Sequence, residues 1–235
     1  MVYIFSIEGN IGSGKSTLVR VLSKNLHHIA EAPVIYVQEP VSEWDNIKDQ
    51  DGKTILEKFY ADQPKYAFSF QMMAYISRLA LLKRVIKKNP NAILITERSV
   101  FTDKEVFAKM LYDEGKIEEV NYQIYLKWFD EFIEDIPITG LIYINTTPEK
   151  SKQRVNIRAR PGENIPLEYL KQCHNYHTTW IDNFKKPVSL FDGNIDFIDS
   201  LDIQSLNKIS SFILEHIKPK THYVTEQYMY TKCSC

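Results

Sequence analysis

A glycine-rich run close to the start of the chain has the residue types and spacing of a phosphate-binding loop. Residues 9–16 read GNIGSGKS, which fits G-x-x-x-x-G-K-[ST] and lies between an apolar run and a helical pattern. Glycines allow backbone N–H groups to close around phosphate oxygens, and a helix N-terminus favours an anion. In this pattern Lys15 reaches the β- and γ-phosphates, and the hydroxyl of Ser16 ligates Mg²⁺. The run therefore predicts a site for the triphosphate of a nucleotide.

Two glutamates and an arginine stand where two predicted strands end. Glu39 closes one apolar run, and Glu97 closes the next and is followed by Arg98. Because ligands of open parallel sheets bind beyond the carboxyl ends of the strands, we expect these side chains beside the phosphate-binding loop. Phosphoryl transfer to a hydroxyl needs a carboxylate that takes the proton, an acidic residue near the metal, and a cation for the spreading charge. The three residues together predict a phosphotransferase.

The elements that must position these residues alternate between short apolar runs and longer helical patterns. This alternation predicts an α/β fold in which helices flank a parallel sheet of five strands. The strands are predicted at residues 2–8, 34–39, 92–97, 140–145 and 187–192. The helices are predicted at residues 15–28, 64–88, 103–113, 121–134, 148–156, 166–184 and 203–217. An apolar stripe with helical spacing, expected in the core or at a subunit interface, consists of Tyr122, Tyr125, Leu126, Phe129, Phe132 and Ile133.

Composition limits the classes of function that stay open. Lys and Arg (29) nearly balance Asp and Glu (30), so no general attraction to nucleic acid or to an anionic membrane is indicated. No apolar run reaches the roughly 20 residues that span a bilayer, and the loop at residue 9 leaves no room for a leader peptide. We therefore expect a cytoplasmic protein with one domain at residues 1–217 and a C-terminal tail at residues 218–235.

Cysteine usage indicates a reducing compartment. Cys173 lies in a predicted helix and Cys233 and Cys235 end the chain, which is not the pattern of a disulfide framework. The terminal Cys-Ser-Cys resembles a dual prenylation signal, but a frayed tail with free thiols is the interpretation we favour.

Five segments of the chain agree in order and spacing with one enzyme family. They are residues 8–17 (EGNIGSGKST), residues 39–41 (EPV) with Trp44, residues 68–71 (FSFQ), residues 97–99 (ERS) and residues 165–170 (IPLEYL). Together they resemble the deoxyribonucleoside kinases, in the branch that holds the deoxycytidine and deoxyguanosine kinases. The resemblance covers about residues 1–200 and implies a P-loop kinase fold with an arginine-bearing lid. Thymidylate kinases, a sister group, usually carry Asp-Arg at the place of Glu97 and Arg98.

The resemblance implies where ATP binds. The triphosphate would lie along the glycine-rich loop, beneath a lid at about residues 154–165 whose arginines stabilise the transferred charge. Two residues near the C-terminus resemble the loop that packs on adenine. The implied ATP contacts are Gly9, Asn10, Ile11, Gly12, Ser13, Gly14, Lys15, Ser16, Thr17, Arg154, Arg158, Arg160, Asp196 and Phe197.

The resemblance also assigns the acceptor site. It implies that Glu39 is the general base on the 5′-hydroxyl of a deoxynucleoside, that Arg98 holds this hydroxyl and the transferred phosphate, and that Glu97 supports Mg²⁺ with Ser16. Gln71 would hydrogen-bond the base edge, because its amide offers a donor and an acceptor side by side. Further implied contacts are Phe107 stacking on the base, Trp44, Leu56 and Phe70 closing the pocket, and Tyr60 and Glu163 on the sugar 3′-hydroxyl. Residues 161–164 are one residue shorter than in the animal enzymes.

Three positions predict the preferred base. Family members that accept cytosine and purines tend to carry a small residue, an arginine and an aspartate at the places of Ala74, Arg78 and Asp103. The charged pair could bond an amino group or a purine N7, whereas the 5-methyl of thymine would meet Arg78 without a compensating bond. Deoxycytidine, deoxyadenosine and deoxyguanosine are therefore expected to be favoured over thymidine. The alternative is that Arg78 and Asp103 only tie two helices together.

Two other functions stay open on the sequence. A nucleoside monophosphate kinase of thymidylate-kinase type would need extra arginines facing Glu39, because a second phosphate must be neutralised. A nucleotide-dependent switch would keep the loop without needing Glu39, Glu97 and Arg98. The partners that we expect are a deoxynucleoside, a nucleoside triphosphate and a second copy of the chain, with no nucleic acid or membrane.

Overall fold

The computed structural model of the protein describes residues 2–134, 136–160, 163–195 and 203–217. Within these ranges the strands are β1 (Tyr3–Glu8), β2 (His28–Ile29), β3 (Ala32–Val37), β4 (Ile93–Glu97), β5 (Gly140–Asn145) and β6 (Val188–Asp192). The first helices are α1 (Lys15–Asn25), α2 (Val41–Trp44), α3 (Ile55–Ala61), α4 (Gln63–Lys88) and α5 (Val100–Thr102). A π-helical segment (Asp103–Ala108) leads into α6 (Lys109–Asp113), α7 (Glu119–Ile133), α8 (Pro148–Arg158), α9 (Leu167–Asn183) and α10 (Ile203–His216).

Among the described residues the sheet has six strands in the order β2-β3-β4-β1-β5-β6. The five predicted strands are all present and run parallel to one another. The sixth strand, β2, is a two-residue edge strand that pairs antiparallel with β3. The expected count of five was wrong because two residues are too few to show a strand periodicity. The α/β fold class is confirmed.

Alternating side chains of the central strand β1 divide the core into two layers. Phe5 and Ile7 pack in a cluster with Leu18 of α1 and Ile213 of α10. Ile4 faces the other side, in a cluster formed with residues of α4, α7 and α9. Both faces of the sheet are therefore covered by helices, as expected for parallel strands that read as continuous apolar runs.

The parallel strands direct their carboxyl ends to one edge of the sheet. Ile7 of β1 is paired in register with Glu97 of β4, so the loop after β1 lies next to the end of β4. Strand β3 ends at Val37, and the chain leaves the sheet before Glu39. Pro40, which has no N–H to donate, then precedes the short helix α2. The phosphate-binding loop, Glu39 and Glu97 are thus brought to the same edge.

Three helical features differ from the sequence expectations. Helices α2 and α3 were not predicted, since each is too short to show a clear apolar stripe. The helix expected at residues 103–113 starts as the π-helical segment, a conformation that is frequent at functional sites. The predicted tail, residues 218–235, lies outside the described residues, as do Asp196 and Phe197. No helix in the described part of the chain is long and apolar enough to cross a membrane.

Candidate active site

The loop between β1 and α1 forms the phosphate cradle. Gly14 has φ 102° directly before α1 begins, and Gly9 has φ 146° directly after β1 ends. A Cβ on Gly9 would lie 2.7 Å from the carbonyl oxygen of Ile144, so a side chain there would be both strained and blocked. The loop therefore needs glycine at these two positions. It leads directly into the N-terminus of α1, where an anion is favoured.

Lys15 and Ser16 open α1 and face the cradle. The Lys15 ammonium is buried and donates to the carbonyl oxygens of Asn10 (2.6 Å) and Gly9 (3.0 Å). Burial, reinforced by the charge of Arg98, lowers the pKa of Lys15 to about 7, and an anionic triphosphate would favour its charged form.

The two residues proposed to hold the metal meet at the cradle. Ser16 Oγ donates to Glu97 Oε1 at 2.5 Å, although the two residues are 81 positions apart. A hydroxyl and a carboxylate oxygen therefore stand side by side beside the triphosphate site. These are ligand types that suit Mg²⁺, so the residues present fit this ion.

Glu39 is half-buried and lies in a charge cluster with two buried arginines. Its Oε1 accepts from Arg78 Nη2 at 2.8 Å and from Arg98 Nη1 at 3.4 Å. Arg78 also donates through Nε to Asp103 Oδ2 at 2.8 Å and through Nη1 to the carbonyl oxygen of Glu97 at 3.0 Å. Burial alone would raise the pKa of Glu39, but the charges of Arg98 and Arg78 outweigh it and hold the pKa at about 2. Glu39 is therefore ionised at neutral pH.

Arg98 occupies the left-handed region of the backbone with φ 62°, which is uncommon for a residue with a side chain. Its N–H donates to the carbonyl oxygen of Ile7 at 3.0 Å, which fixes this turn directly after β4. The guanidinium carbon lies 5.1 Å from the ring centre of Phe107. The turn thus directs Arg98 between Glu39, the phosphate cradle and the ring of Phe107. Local backbone strain of this kind is common at functional sites.

One cavity of about 820 Å³ joins the phosphate cradle to an aromatic pocket. Glu39, Glu97 and Arg98 line it between the two ends. Other sequence-predicted residues in its wall are Ile11, Gly12, Gly14, Lys15, Ser16, Thr17, Trp44, Leu56, Tyr60, Phe70, Gln71, Ala74, Asp103, Phe107, Arg154, Arg158, Arg160 and Glu163. Four other predicted site residues do not line the cavity: Gly9, Asn10, Ser13 and Arg78.

The aromatic end of the cavity has the size and chemistry of a base pocket. Trp44 and Phe70 meet edge to face at 5.6 Å, and Phe59 stacks on Phe70 at 4.7 Å. Gln71 is buried, and its Oε1 has no hydrogen-bond partner among the described residues. A buried amide oxygen without a partner is costly, so it indicates a ligand that donates to it. Phe59 was missed because α3, the helix that carries it, was not predicted.

The arginines at the end of α8 approach the cavity from the side of the phosphate cradle. Arg154 Nη1 donates to the carbonyl oxygens of Ser13 (3.1 Å) and Gly193 (2.7 Å), and so connects the cradle with the loop after β6. Arg158 pairs with Glu163 at 2.6 Å across the segment after α8. The structure thus places Arg154, Arg158, Arg160 and Glu163 around the cavity, whereas residues 161 and 162 of the predicted lid lie outside the described part of the chain.

Comparison with known proteins decides the family. The deoxynucleoside kinase family matches residues 5–218. The chain belongs to this family. A probable deoxycytidine kinase of fowlpox virus (strain NVSL) is 39% identical over 221 residues, covering 89% of this chain and 88% of its own. Deoxycytidine kinase 2 of Gallus gallus is 36% identical over 241 residues (88% and 89%), and the mitochondrial deoxyguanosine kinase of Xenopus laevis is 31% identical over 221 residues (82% of each).

Membership of the deoxynucleoside kinase family confirms two sequence predictions. The kinase is an ATP-dependent phosphotransferase whose substrates are a nucleoside triphosphate and a deoxynucleoside. The fold predicted from the alternating elements is the fold of this family.

Proposed function

We propose that the kinase transfers the γ-phosphate of ATP to the 5′-hydroxyl of deoxycytidine, deoxyadenosine or deoxyguanosine in preference to thymidine, as a step of nucleotide salvage. The observation that carries this proposal is the continuous cavity in which Glu39 lies between the phosphate cradle and the pocket of Gln71. A deoxynucleoside whose base occupies the aromatic end would direct its 5′-hydroxyl toward Glu39 and the cradle.

The charges of the site support direct transfer to a hydroxyl. Glu39, ionised by its two arginines, accepts the proton of the 5′-hydroxyl as the oxygen bonds to the γ-phosphorus and ADP leaves. Arg98 donates to the transferred phosphoryl group, and Lys15 to the β- and γ-phosphates. Mg²⁺, held by Ser16 and supported by Glu97, would neutralise charge on the triphosphate.

The charges around Glu39 disfavour a monophosphate as the acceptor. The two arginines that face Glu39 are balanced by two carboxylates, because Arg78 also pairs with Asp103. A monophosphate would bring two further negative charges into this cluster. A thymidylate-kinase type of activity is therefore the weaker proposal.

The base preference rests on Asp103. Asp103 lines the cavity, whereas the buried Arg78 does not, and Arg78 holds the carboxylate of Asp103 at 2.8 Å. An acceptor at this position suits the amino group of cytosine or adenine, and Gln71 adds a donor and an acceptor. Thymine has no exocyclic amino group and would place its methyl group in the polar part of the pocket.

The sugar contacts are proposed for Tyr60 and Glu163. Both line the cavity, and burial together with the charge of Glu163 raises the pKa of the Tyr60 hydroxyl, which therefore stays protonated. A phenol and a carboxylate can donate to and accept from one 3′-hydroxyl. Closure of the lid at about residues 154–165 would then bring Glu163 and the arginines over both substrates.

We further propose that the kinase is a single domain that acts as a cytoplasmic homodimer. Support for the dimer comes from α7, which exposes three apolar side chains one helical turn apart, Val120, Ile124 and Trp128. The free, buried Cys173 suits a reducing compartment.

The proposed function is tested with labelled ATP and each of four deoxynucleosides and four deoxynucleoside monophosphates. We expect label on deoxycytidine and the purine deoxynucleosides, and little on thymidine. Label on monophosphates alone would overturn the proposal. ATP binding without transfer to any acceptor would favour the nucleotide-dependent switch.

A further inference from the structure

The second residue of the phosphate-binding loop, Asn10, points its side chain away from the cavity. The side chain is buried, with 1% exposure. Its Nδ2 donates to the carbonyl oxygen of Leu170 in α9 at 2.8 Å, and its Oδ1 accepts from the N–H of Ile11 at 2.8 Å. The carbonyl oxygen of Asn10 accepts from the Lys15 ammonium at 2.6 Å. One residue therefore connects the phosphate-binding lysine to helix α9.

The helix that Asn10 bonds belongs to the acceptor side of the site. Tyr169, the neighbour of Leu170, is buried and lines the cavity. It belongs to an apolar cluster that includes Tyr60 and Phe107, the proposed contacts of sugar and base. The side chain of Ile11 packs against this same cluster. The first part of the loop is thus held by the acceptor side, while Gly14 and Lys15 face the phosphates.

We propose that Asn10 is a positioning residue that sets the separation between the 5′-hydroxyl and the γ-phosphate by fastening the phosphate cradle to α9. This inference rests on the proposed function. Phosphoryl transfer depends on holding the acceptor oxygen near the phosphorus in the correct direction, and small displacements reduce the rate strongly. The side chain of Asn10 makes no contact with the cavity, so it acts through the cradle and α9.

Loosening this connection has a specific chemical consequence. If the 5′-hydroxyl is displaced, a solvent water can take its place as the nucleophile. The water oxygen then bonds to the γ-phosphorus, the bond to the β-γ bridging oxygen breaks, a proton passes to Glu39, and ADP and inorganic phosphate leave. ADP is then formed without deoxynucleoside monophosphate.

The test compares Asn10→Ala with the native enzyme, with ATP and deoxycytidine both saturating. The quantity measured is ADP formed per deoxycytidine monophosphate formed, which does not depend on the fraction of enzyme that is folded. We expect a ratio close to one for the native enzyme and a rise of about threefold or more for Asn10→Ala. The matched control is Asn89→Ala, because Asn89 makes the same kind of bond, Nδ2 to the carbonyl oxygen of Val85 at 2.9 Å, at the far end of α4.

A second variant keeps the inference open to refutation if Asn10→Ala does not fold. Ile11→Ala keeps the side chain of Asn10 and its hydrogen bond to Leu170 but trims the side chain that packs against the cluster of Tyr169, and we expect a smaller rise of the same ratio. A native ratio in every variant that folds would overturn the inference, as would an equal rise in Asn89→Ala. If the native enzyme forms no deoxynucleoside monophosphate, the proposed function itself fails, which is a distinguishable result.

Discussion

Removing Arg78 is predicted to move the pKa of Glu39 into the range that enzyme assays can reach. The pKa of Glu39 is about 2 instead of the ordinary 4.5, a difference that corresponds to about 3 kcal/mol in favour of the ionised form. Burial opposes ionisation, so this preference depends on the nearby cations. Arg78 makes the shorter contact, 2.8 Å against 3.4 Å for Arg98. Its loss should therefore raise the pKa from its native value toward the ordinary one, because Arg98 alone would then oppose the effect of burial.

The perturbation is the double variant Arg78→Met with Asp103→Ala, which avoids leaving Asp103 buried without its partner. The assay is kcat/KM for deoxycytidine between pH 4 and pH 8. A general base must be deprotonated, and the native carboxylate is ionised above about pH 2, so Glu39 adds no acid limb to the native profile. In the variant, kcat/KM should fall about tenfold per pH unit below its raised pKa.

The control for this prediction is Arg84→Met, which removes an exposed ion pair with Glu43 at 3.2 Å. Exposed pairs of this kind contribute little, so its profile should match the native one. Folding at each pH is followed by circular dichroism. If the double variant is folded and its profile also matches the native one, Arg78 does not hold Glu39 ionised.

Three further predictions concern the base, the sugar and a buried histidine. In the same double variant, the ratio of kcat/KM for thymidine to kcat/KM for deoxycytidine should be higher than in the native enzyme. An unchanged ratio would show that the charged pair does not select the base. For the native enzyme, kcat/KM should be about tenfold or more higher for a deoxynucleoside with a 3′-hydroxyl than for its 3′-deoxy analogue, and Tyr60→Phe should reduce this ratio. Equal kcat/KM of the native enzyme for the two substrates would exclude Tyr60 from the site. Burial and the charge of Arg98 lower the pKa of His177, so the unfolded chain binds a proton near pH 6.5 that the native state does not. Stability should therefore fall below pH 6.5 by up to about 1.4 kcal/mol per pH unit, and His177→Asn, which can still donate to the carbonyl oxygen of Cys173, should flatten this dependence in denaturant titrations.

The sequence could predict the parts of the site that are local in the chain. The glycine-rich loop is encoded by adjacent residues, and Glu97 ends a short, mostly apolar strand that Arg98 directly follows. Arg78 and Asp103 lie in contact as expected. Each is part of a predicted helix, and its position in that helix indicated the side on which its side chain lies. The resemblance to the kinase family then supplied roles that the residue pattern alone did not.

The parts that could not be predicted depend on contacts between distant elements. The bond of Arg78 to Glu39 joins α4 to the chain after β3, and no periodicity encodes that approach. Phe59 lies on a helix of seven residues, too short for a periodic signal. The bond from Asn10 to α9 spans 160 positions, so the residue could only be grouped with its neighbours as an ATP contact. The left-handed turn at Arg98 was not expected, since it is set by its surroundings and not by its residue type.

The most direct test of the account is turnover by Glu39→Gln, which keeps the shape of the side chain and removes the base. We expect kcat to fall by about a hundredfold or more with deoxycytidine, while the dissociation constant for ATP stays close to the native value. Because Gln cannot take the proton, single-turnover measurements should show the loss in the transfer step itself. Transfer at a near-native rate in this variant would contradict the assignment of Glu39 as the group that receives the proton.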